Sequence, residues 1–292
     1  MRIVISGSSG LIGSALRRSF ESDGVEVRTL VRRPPRGAQE IEWMPGERPL
    51  DPDVLSGADA VIALGGASVG RLPWTRRYRA ELRRSRILPT RTLATALRAL
   101  GADAPAFVSA SAVGFYGSAP GEELTEAAPE GDTFLARICV EWEDEARRAG
   151  ENVALARTAP VIHSRGVLKP MIRLTRLGLA GPLGGGGQLW PWISLEDEVR
   201  ALRHIVDARI TGPVNLAGPV PATANETGRA LGQRLHRPFW LPAPAWALRL
   251  GLSADAADSL LLADAHVRPA VLESTGFVFA HRTVQQAIAA AL

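Results

Sequence analysis

The sequence predicts an α/β fold in which helices cover both faces of a parallel sheet. Two observations predict it. Short apolar runs of strand length recur at 2–6, 25–31, 58–66, 105–117 and 152–162, and helical periodicity fills roughly 75–100 and 132–149. Strands that alternate with helices build a parallel sheet, because each return crossing must pass over a face. The second observation is the end of the first run, where glycines stand directly before a helical pattern. At 292 residues the chain suffices for one large α/β unit and a smaller second domain.

Taken in order, RIVIS (2–6) is an apolar strand that runs into Gly7-Ser8-Ser9-Gly10-Leu11-Ile12-Gly13. Leu11, Ala15, Leu16 and Phe20 then fall on one helical face, and Gly24 stops the helix. VEVRTLV (25–31) is the second strand, ADAVIALGG (58–66) a buried one ending in glycines, and PAFVSASAVGFYG (105–117) and NVALARTAPVI (152–162) two more. Beyond 163 the character changes. GLAGPLGGGGQLWPW (178–192) is Gly-rich and reads as a mobile flap over a cleft or an ordinary surface turn. ISLEDEVRALRHIVD (193–207) reads as a helix, GPVNLAGP (212–219) as a strand between turns, and the tail from 222 as helical with Pro-rich joints at 238–244.

The glycines sit where phosphate chemistry needs them. A tight turn, a close backbone approach and helix–strand packing each require a residue without a Cβ, and the helix start then turns free N–H groups towards an anion. Gly7-x-x-Gly10-x-x-Gly13 is a variant of the usual dinucleotide spacing, so residues 1–164 are expected to form a Rossmann-type, doubly wound dinucleotide-binding domain, with 190–217 returning to it. Residues 165–292 are expected to form the smaller substrate domain. An NAD protein commonly places an Asp or Glu about 20 residues on, for the ribose 2′-OH. Here Arg32 and Arg33 stand there, with no acid before Glu40. Guanidinium groups pair with a 2′-phosphate, so NADP is the expected cofactor.

Composition narrows the classes further. The net charge is +4, and Lys169 is the only lysine among 34 basic residues. Arg76, Arg79, Arg83 and Arg86 share one helical face, yet without interleaved aromatics this reads as a solvated helix and not as a nucleic-acid stripe. A sharper reading has some of these arginines, Arg86 foremost, reaching the cofactor phosphates. A single cysteine, Cys139, excludes an internal disulfide and argues against a Cys-based metal site. No apolar run has the length of a membrane span and no signal-peptide pattern opens the chain, so a cytoplasmic location is the default expectation.

The blocks SGSSGLIG (6–13), ALGGASVG (63–70), SASAVGFYG (109–117), FLARICVEWE (134–143), RTAPVI (157–162), WPWISLEDEV (190–199) and GPVNLAGP (212–219) run in one familiar order. The chain resembles, over nearly its whole length, the atypical extended short-chain dehydrogenase/reductases described as NADP-dependent and nucleoside-diphosphate-sugar-epimerase-like. The resemblance implies NADP(H), a small-molecule substrate and, as a starting expectation, a homodimer. It implies Gly7, Gly10, Leu11, Ile12 and Gly13 at the phosphates, Arg32 at the 2′-phosphate and Gly65 and Gly66 along the cofactor. Ser9, Arg33, Ser109, Ala110 and Arg86 complete the expected cofactor set. Ser111 matches the Ser/Thr that assists a reacting carbonyl or hydroxyl. Two positions depart from the family pattern: Ala63 stands where an Asn is usual and Ser194 where a His is usual.

A larger departure concerns the chemistry. The broad superfamily keeps a Tyr-x-x-x-Lys pair on the helix after the SASA strand, in which the lysine lowers the tyrosine pKa. Tyr78 and Tyr116 are the only tyrosines, and Leu82 and Pro120 stand four residues beyond them. By register the pair falls on Phe134 and Ile138, or on Leu135 and Cys139. Tyr116, at the ligand-binding end of the sheet, lines the cleft or substitutes as the acid, and with Ser111 forms the expected catalytic pair. Cys139 reads as a small buried hydrophobe, and His163 as a structural or exposed residue that can also face the cleft. The expected function is an NADP(H)-binding oxidoreductase or epimerase-like enzyme; the alternative is a non-catalytic NADPH sensor or scaffold.

Overall fold

The computed structural model describes residues 1–166 and 168–292. The chain opens with β1 (Arg2–Ser6), α1 (Leu11–Ser22), β2 (Glu26–Val31), β3 (Glu40–Glu42), β4 (Ala60–Ala63) and α2 (Arg76–Leu100). It continues through β5 (Ala106–Ala112), β6 (Glu123–Leu124), α3 (Phe134–Arg147), β7 (Val153–Thr158) and β8 (Val161–Ile162). Then follow α4 (Leu168–Arg176), β9 (Ile193–Ser194), α5 (Leu195–Asp207) and β10 (Gly212–Leu216). The last part holds α6 (Ala224–Arg234), α7 (Ala245–Leu252), α8 (Ala254–Leu260), β11 (His266–Val267), α9 (Ala270–Ser274) and α10 (Val284–Ala291).

Seven strands make one parallel sheet in the order β10-β7-β5-β4-β1-β2-β3. Ile3 lies beside Val27 on one side and Ala60 on the other, so the strand order reverses between β1 and β4. That reversal opens a crevice at the carboxyl ends of the strands, where ligands of doubly wound folds bind. Alternation along the strands explains why both faces read as apolar. Ile3, Ile5, Ile62 and Val108 pack under α1 and α5 with Leu16, Phe20, Leu202 and Ile205. Val4, Val61, Phe107 and Leu155 pack under α2 and α3 with Leu93, Leu97 and Ala146. The predicted Rossmann-type fold is the one observed.

Two predicted strands are shorter than their apolar runs. β5 stops at Ala112 because Val113–Tyr116 winds into a 3₁₀ turn, closed by Gly117 at φ +67°. β7 stops at Thr158 because Pro160 offers no N–H to continue a ladder. The edge strand β3 and helix α4 carried no strong sequence signal of their own. Outside the sheet, α4, α6 and α10 share a core around Leu168, Leu231 and Ile288. Ala256 of α8 packs on Trp74, Leu82 and Ile138, and Arg79 of α2 pairs with Asp255. This brings the C-terminal segment over the starts of α2 and α3, beside the crevice.

Candidate active site

The crevice begins at the turn between β1 and α1. Gly7 has φ +77°, and a Cβ there lies 2.7 Å from the Leu64 carbonyl carbon. A Cβ on Gly13 falls 2.3 Å from the Gly7 carbonyl oxygen. Neither position admits a side chain, so the turn and the loop after β4 touch backbone to backbone. Gly10, the N-cap of α1, supplies no side-chain cap, which leaves the first-turn N–H groups of the helix for an external acceptor. Ser9 and Gly10 are exposed at this end, with Leu11 and Ile12 half-buried behind them. A diphosphate fits this cradle by shape and by dipole.

At the end of β2 the two adjacent arginines part company. Arg33 donates to both oxygens of Glu40, at 2.7 and 2.6 Å, and the Arg36 N–H adds a third donor at 2.6 Å. These partners, the Arg33 guanidinium foremost, hold the Glu40 carboxyl down to about 2. The Arg33 guanidinium is therefore engaged at the β2–β3 edge. Arg32 is exposed and forms no ion pair among the described residues.

The loop after β4 carries Gly65 and Gly66 and is bound back to the turn by the Leu64 N–H on the Ser6 carbonyl (3.0 Å). Arg86 reaches it from α2, donating to the Leu82 carbonyl (2.9 Å) and the Ala67 carbonyl (3.1 Å). Of the remaining expected cofactor contacts, Ser109 is fully buried with its hydroxyl on the Ala110 carbonyl (3.2 Å), and Ala110 is half-buried beside it in β5. The Ser109 hydroxyl is thus bonded within the protein.

The Ser111 and Tyr116 hydroxyls are buried and bonded within the protein. The Ser111 hydroxyl donates to Glu143 of α3 at 2.7 Å. Glu143 is gripped by Arg157 through two bonds of 2.8 and 2.9 Å, and Arg157 donates to the Tyr116 hydroxyl at 2.9 Å. Tyr116 in turn donates to Asn215 of β10 at 2.7 Å, and Asn215 bonds the Leu124 and Arg268 carbonyls. Ser111, Tyr116, Glu143, Arg157 and Asn215 are all buried. Burial pushes the Tyr116 phenol up, against the opposing pull of Arg157. The expected catalytic pair is corrected: both hydroxyls are spent in a closed network that joins α3, β5, β7 and β10. One signal for it lay in the sequence, since Arg157 interrupts the otherwise apolar VALART.

Three further residues complete the picture. Burial pushes the Cys139 thiol up to about 12, so it is a packing group and not a nucleophile. His163, depressed mainly by burial, accepts the Arg165 N–H at 3.1 Å and is held locally. Glu198 on α5 escaped sequence reasoning altogether, because LEDEV reads as a solvated helix start. It is fully buried, accepts the Thr158 hydroxyl (2.8 Å), has one oxygen without a partner among the described residues, and is pushed up to about 8 by burial. The Gly-rich 184–187 stretch is a packed joint and not a free flap. A Cβ on Gly186 lands 2.2 Å from Asn225 Oδ1, the Gly184 N–H bonds the Ala243 carbonyl at 2.9 Å, and Trp190 is tied to the Leu261 carbonyl at 3.1 Å.

Comparison with known proteins settles what the crevice belongs to. The model of the NAD dependent epimerase/dehydratase family matches residues 3–217, from β1 through the end of β10. The chain belongs to the NAD dependent epimerase/dehydratase family. Within it, the chain is an atypical extended short-chain dehydrogenase/reductase, having no Tyr-x-x-x-Lys pair. A second model, described only as a domain of unknown function (DUF1731), matches residues 243–291. The epimerase family protein Mb2239 of Mycobacterium bovis is 40% identical over 98% of this chain and 96% of its own length. Among solved structures, the human epimerase family protein SDR39U1 with NADPH superposes with a TM-score of 0.88 at 28% identity, covering 100% of this chain and 99% of that one. A nucleoside-diphosphate sugar epimerase from Corynebacterium glutamicum gives 0.79 at 31% identity, covering 99% of this chain and 57% of that one.

Proposed function

We propose that this family member is an NADP(H)-dependent oxidoreductase or epimerase-like enzyme acting on a small carbonyl or hydroxyl compound or a sugar-nucleotide-like substrate. The observation that carries the reading is the division of labour at the end of β2: Glu40 is closed off by Arg33, and Arg32 stays exposed just past β2, the strand paired with β1. A free guanidinium suits a 2′-phosphate, while the Glu40 carboxylate is already taken by Arg33 and the Arg36 N–H. The bare Gly7 and Gly13 and the uncapped start of α1 fit the diphosphate, and the NADPH in the human relative's structure supports the same cofactor. When bound, the nicotinamide supplies the hydride chemistry. The chain's part is to orient the ligand across the crevice with the turn after β1, Arg32 and the loop after β4.

The test is an equilibrium titration with NADPH and NADH at two salt concentrations. Wild type binds NADPH more tightly; Arg32→Ala loses roughly 10- to 100-fold of that affinity and leaves NADH unchanged, the range of one or two charge-assisted hydrogen bonds. Equal affinity for both cofactors in wild type overturns the reading. A second reading, a protein that binds NADPH without turnover, is favoured by the burial of Ser111 and Tyr116 and the high pKa of Cys139. Tight NADPH binding with no oxidation of it across a carbonyl screen selects that reading.

A further inference from the structure

Of the eight arginines in helix α2, four have surroundings that differ in one respect. Arg79 pairs with Asp255, Arg83 with Glu141 and Arg91 with Glu145. Arg86, between them, has no carboxylate within ion-pair distance among the described residues. It is turned inwards, its guanidinium 5.3 Å from the centroid of the Trp142 ring, and two of its five N–H donors go to the Leu82 and Ala67 carbonyls. Trp142 is itself fixed by its indole N–H on Thr90 (2.7 Å), so the guanidinium lies on a rigid platform. Desolvation, the largest influence on it, pushes its pKa down. The thiol of nearby Cys139, raised to about 12, stays neutral and does not balance the charge. A cation held at such a cost, with donors to spare, calls for an electron-rich partner from outside.

The approach to it is open on one side. Gly66 has no side chain, and a Cβ there lies 3.3 Å from the Arg86 Cζ and 3.5 Å from both terminal nitrogens. Gly66 itself is exposed. The loop that carries it meets the glycine turn, since a Gly7 Cβ falls 2.8 Å from the Gly65 nitrogen. From Arg32 just after β2, past the start of α1, to Gly66 after β4, the crevice thus offers a guanidinium, a cradle of N–H groups and a second guanidinium. A 2′-phosphate and a diphosphate account for the first two.

We propose that Arg86, exposed through the gap at Gly66, holds the hydroxyl groups of the second, nicotinamide-bearing ribose. It is a positioning residue: it fixes the sugar, and through it the plane of the nicotinamide, from α2. At the start of helix α3, Phe134, Leu135, Ile138 and Cys139 donate no strong hydrogen bond, and the Arg137 guanidinium donates to the Asp132 carbonyl. The proposal rests on the NADP(H) reading.

The experiment is a ligand ladder measured at equilibrium on the full chain: 2′,5′-ADP, then 2′-phospho-ADP, then 2′-phospho-ADP-ribose, then NADPH. In wild type each added group that meets the protein tightens binding. Arg86→Met binds 2′,5′-ADP and 2′-phospho-ADP as wild type does and loses roughly 10- to 100-fold for the two ligands that contain the second ribose. Arg86→Lys recovers part of the loss. Gly66→Ala, whose backbone is not in the left-handed region, keeps the charge but covers it, and gives the same pattern if Arg86→Met fails to fold. Loss beginning at 2′-phospho-ADP makes Arg86 a phosphate contact and overturns the proposal, as does an unchanged ladder. No binding of NADPH to wild type is a different failure, that of the cofactor reading itself.

Discussion

Arg32 and Arg33 are neighbours of one type, yet the structure gives them opposite tasks. Residue identity alone cannot separate them, because the separation depends on Glu40 arriving beside Arg33 through the β2–β3 pairing. The same holds for Ser111 and Tyr116, whose hydroxyls are legible in sequence but whose partners are 32 and 99 residues away. Their network predicts stability effects. Ser111→Ala removes one donor from a buried carboxylate and costs about 1–3 kcal/mol. Glu143→Gln strands the Arg157 guanidinium in the interior and costs about 3–5 kcal/mol. Urea unfolding measures both losses, and NADPH titration of the folded variants remains as in wild type. A Ser111→Ala variant of full stability and reduced turnover would restore the catalytic role withdrawn above.

At the scale of the element, α1 and α5 illustrate how much a helix start can carry. Gly13 lies in the first turn of α1, and Gly13→Ala drives a methyl into the Gly7 carbonyl, 2.3 Å away. The helix and the turn must move apart, which costs stability by several kcal/mol and removes the cradle, so NADPH affinity falls with the melting temperature. In α5, Glu198 has a folded-state pKa of about 8 against 4.5 for the free group. The folded chain therefore holds this proton more tightly than the unfolded one. Its contribution is complete below pH 4.5 and is lost progressively as pH rises to about 8, by an amount on the order of a few kcal/mol. Glu198→Gln flattens that decline and is the more stable protein at pH 8.5; melting temperatures from pH 5 to 9 measure it. An equal slope in both proteins would mean that the carboxyl ionises freely in the folded state.

For the whole molecule, the sheet decides what can fold alone. β10 pairs with β7 along its full length, and Val214 and Leu216 enter the core shared by α1 and α5. A chain ended at residue 164 lacks β10 and α5 and leaves that face of β5 and β7 bare. Such a fragment gives no cooperative urea transition, whereas the full chain does. The C-terminal segment is bound back in the same manner, through Arg79 to Asp255 and β11 to β6, so the walls of the crevice come from both ends of the chain.

What the sequence by itself determined was local: the strand–glycine–helix opening, the alternation of strands and helices, the basic end of β2 and the absence of a Tyr-x-x-x-Lys pair. Each is written in consecutive residues, where periodicity, a missing Cβ or a missing side chain acts over a few positions. The tertiary structure alone decided which hydroxyls are buried, which arginine is free and which carboxyl keeps its proton. Those properties follow from desolvation and from partners distant in the chain, and both exist only after the sheet has brought β5, β7 and β10 together under α3 and α5.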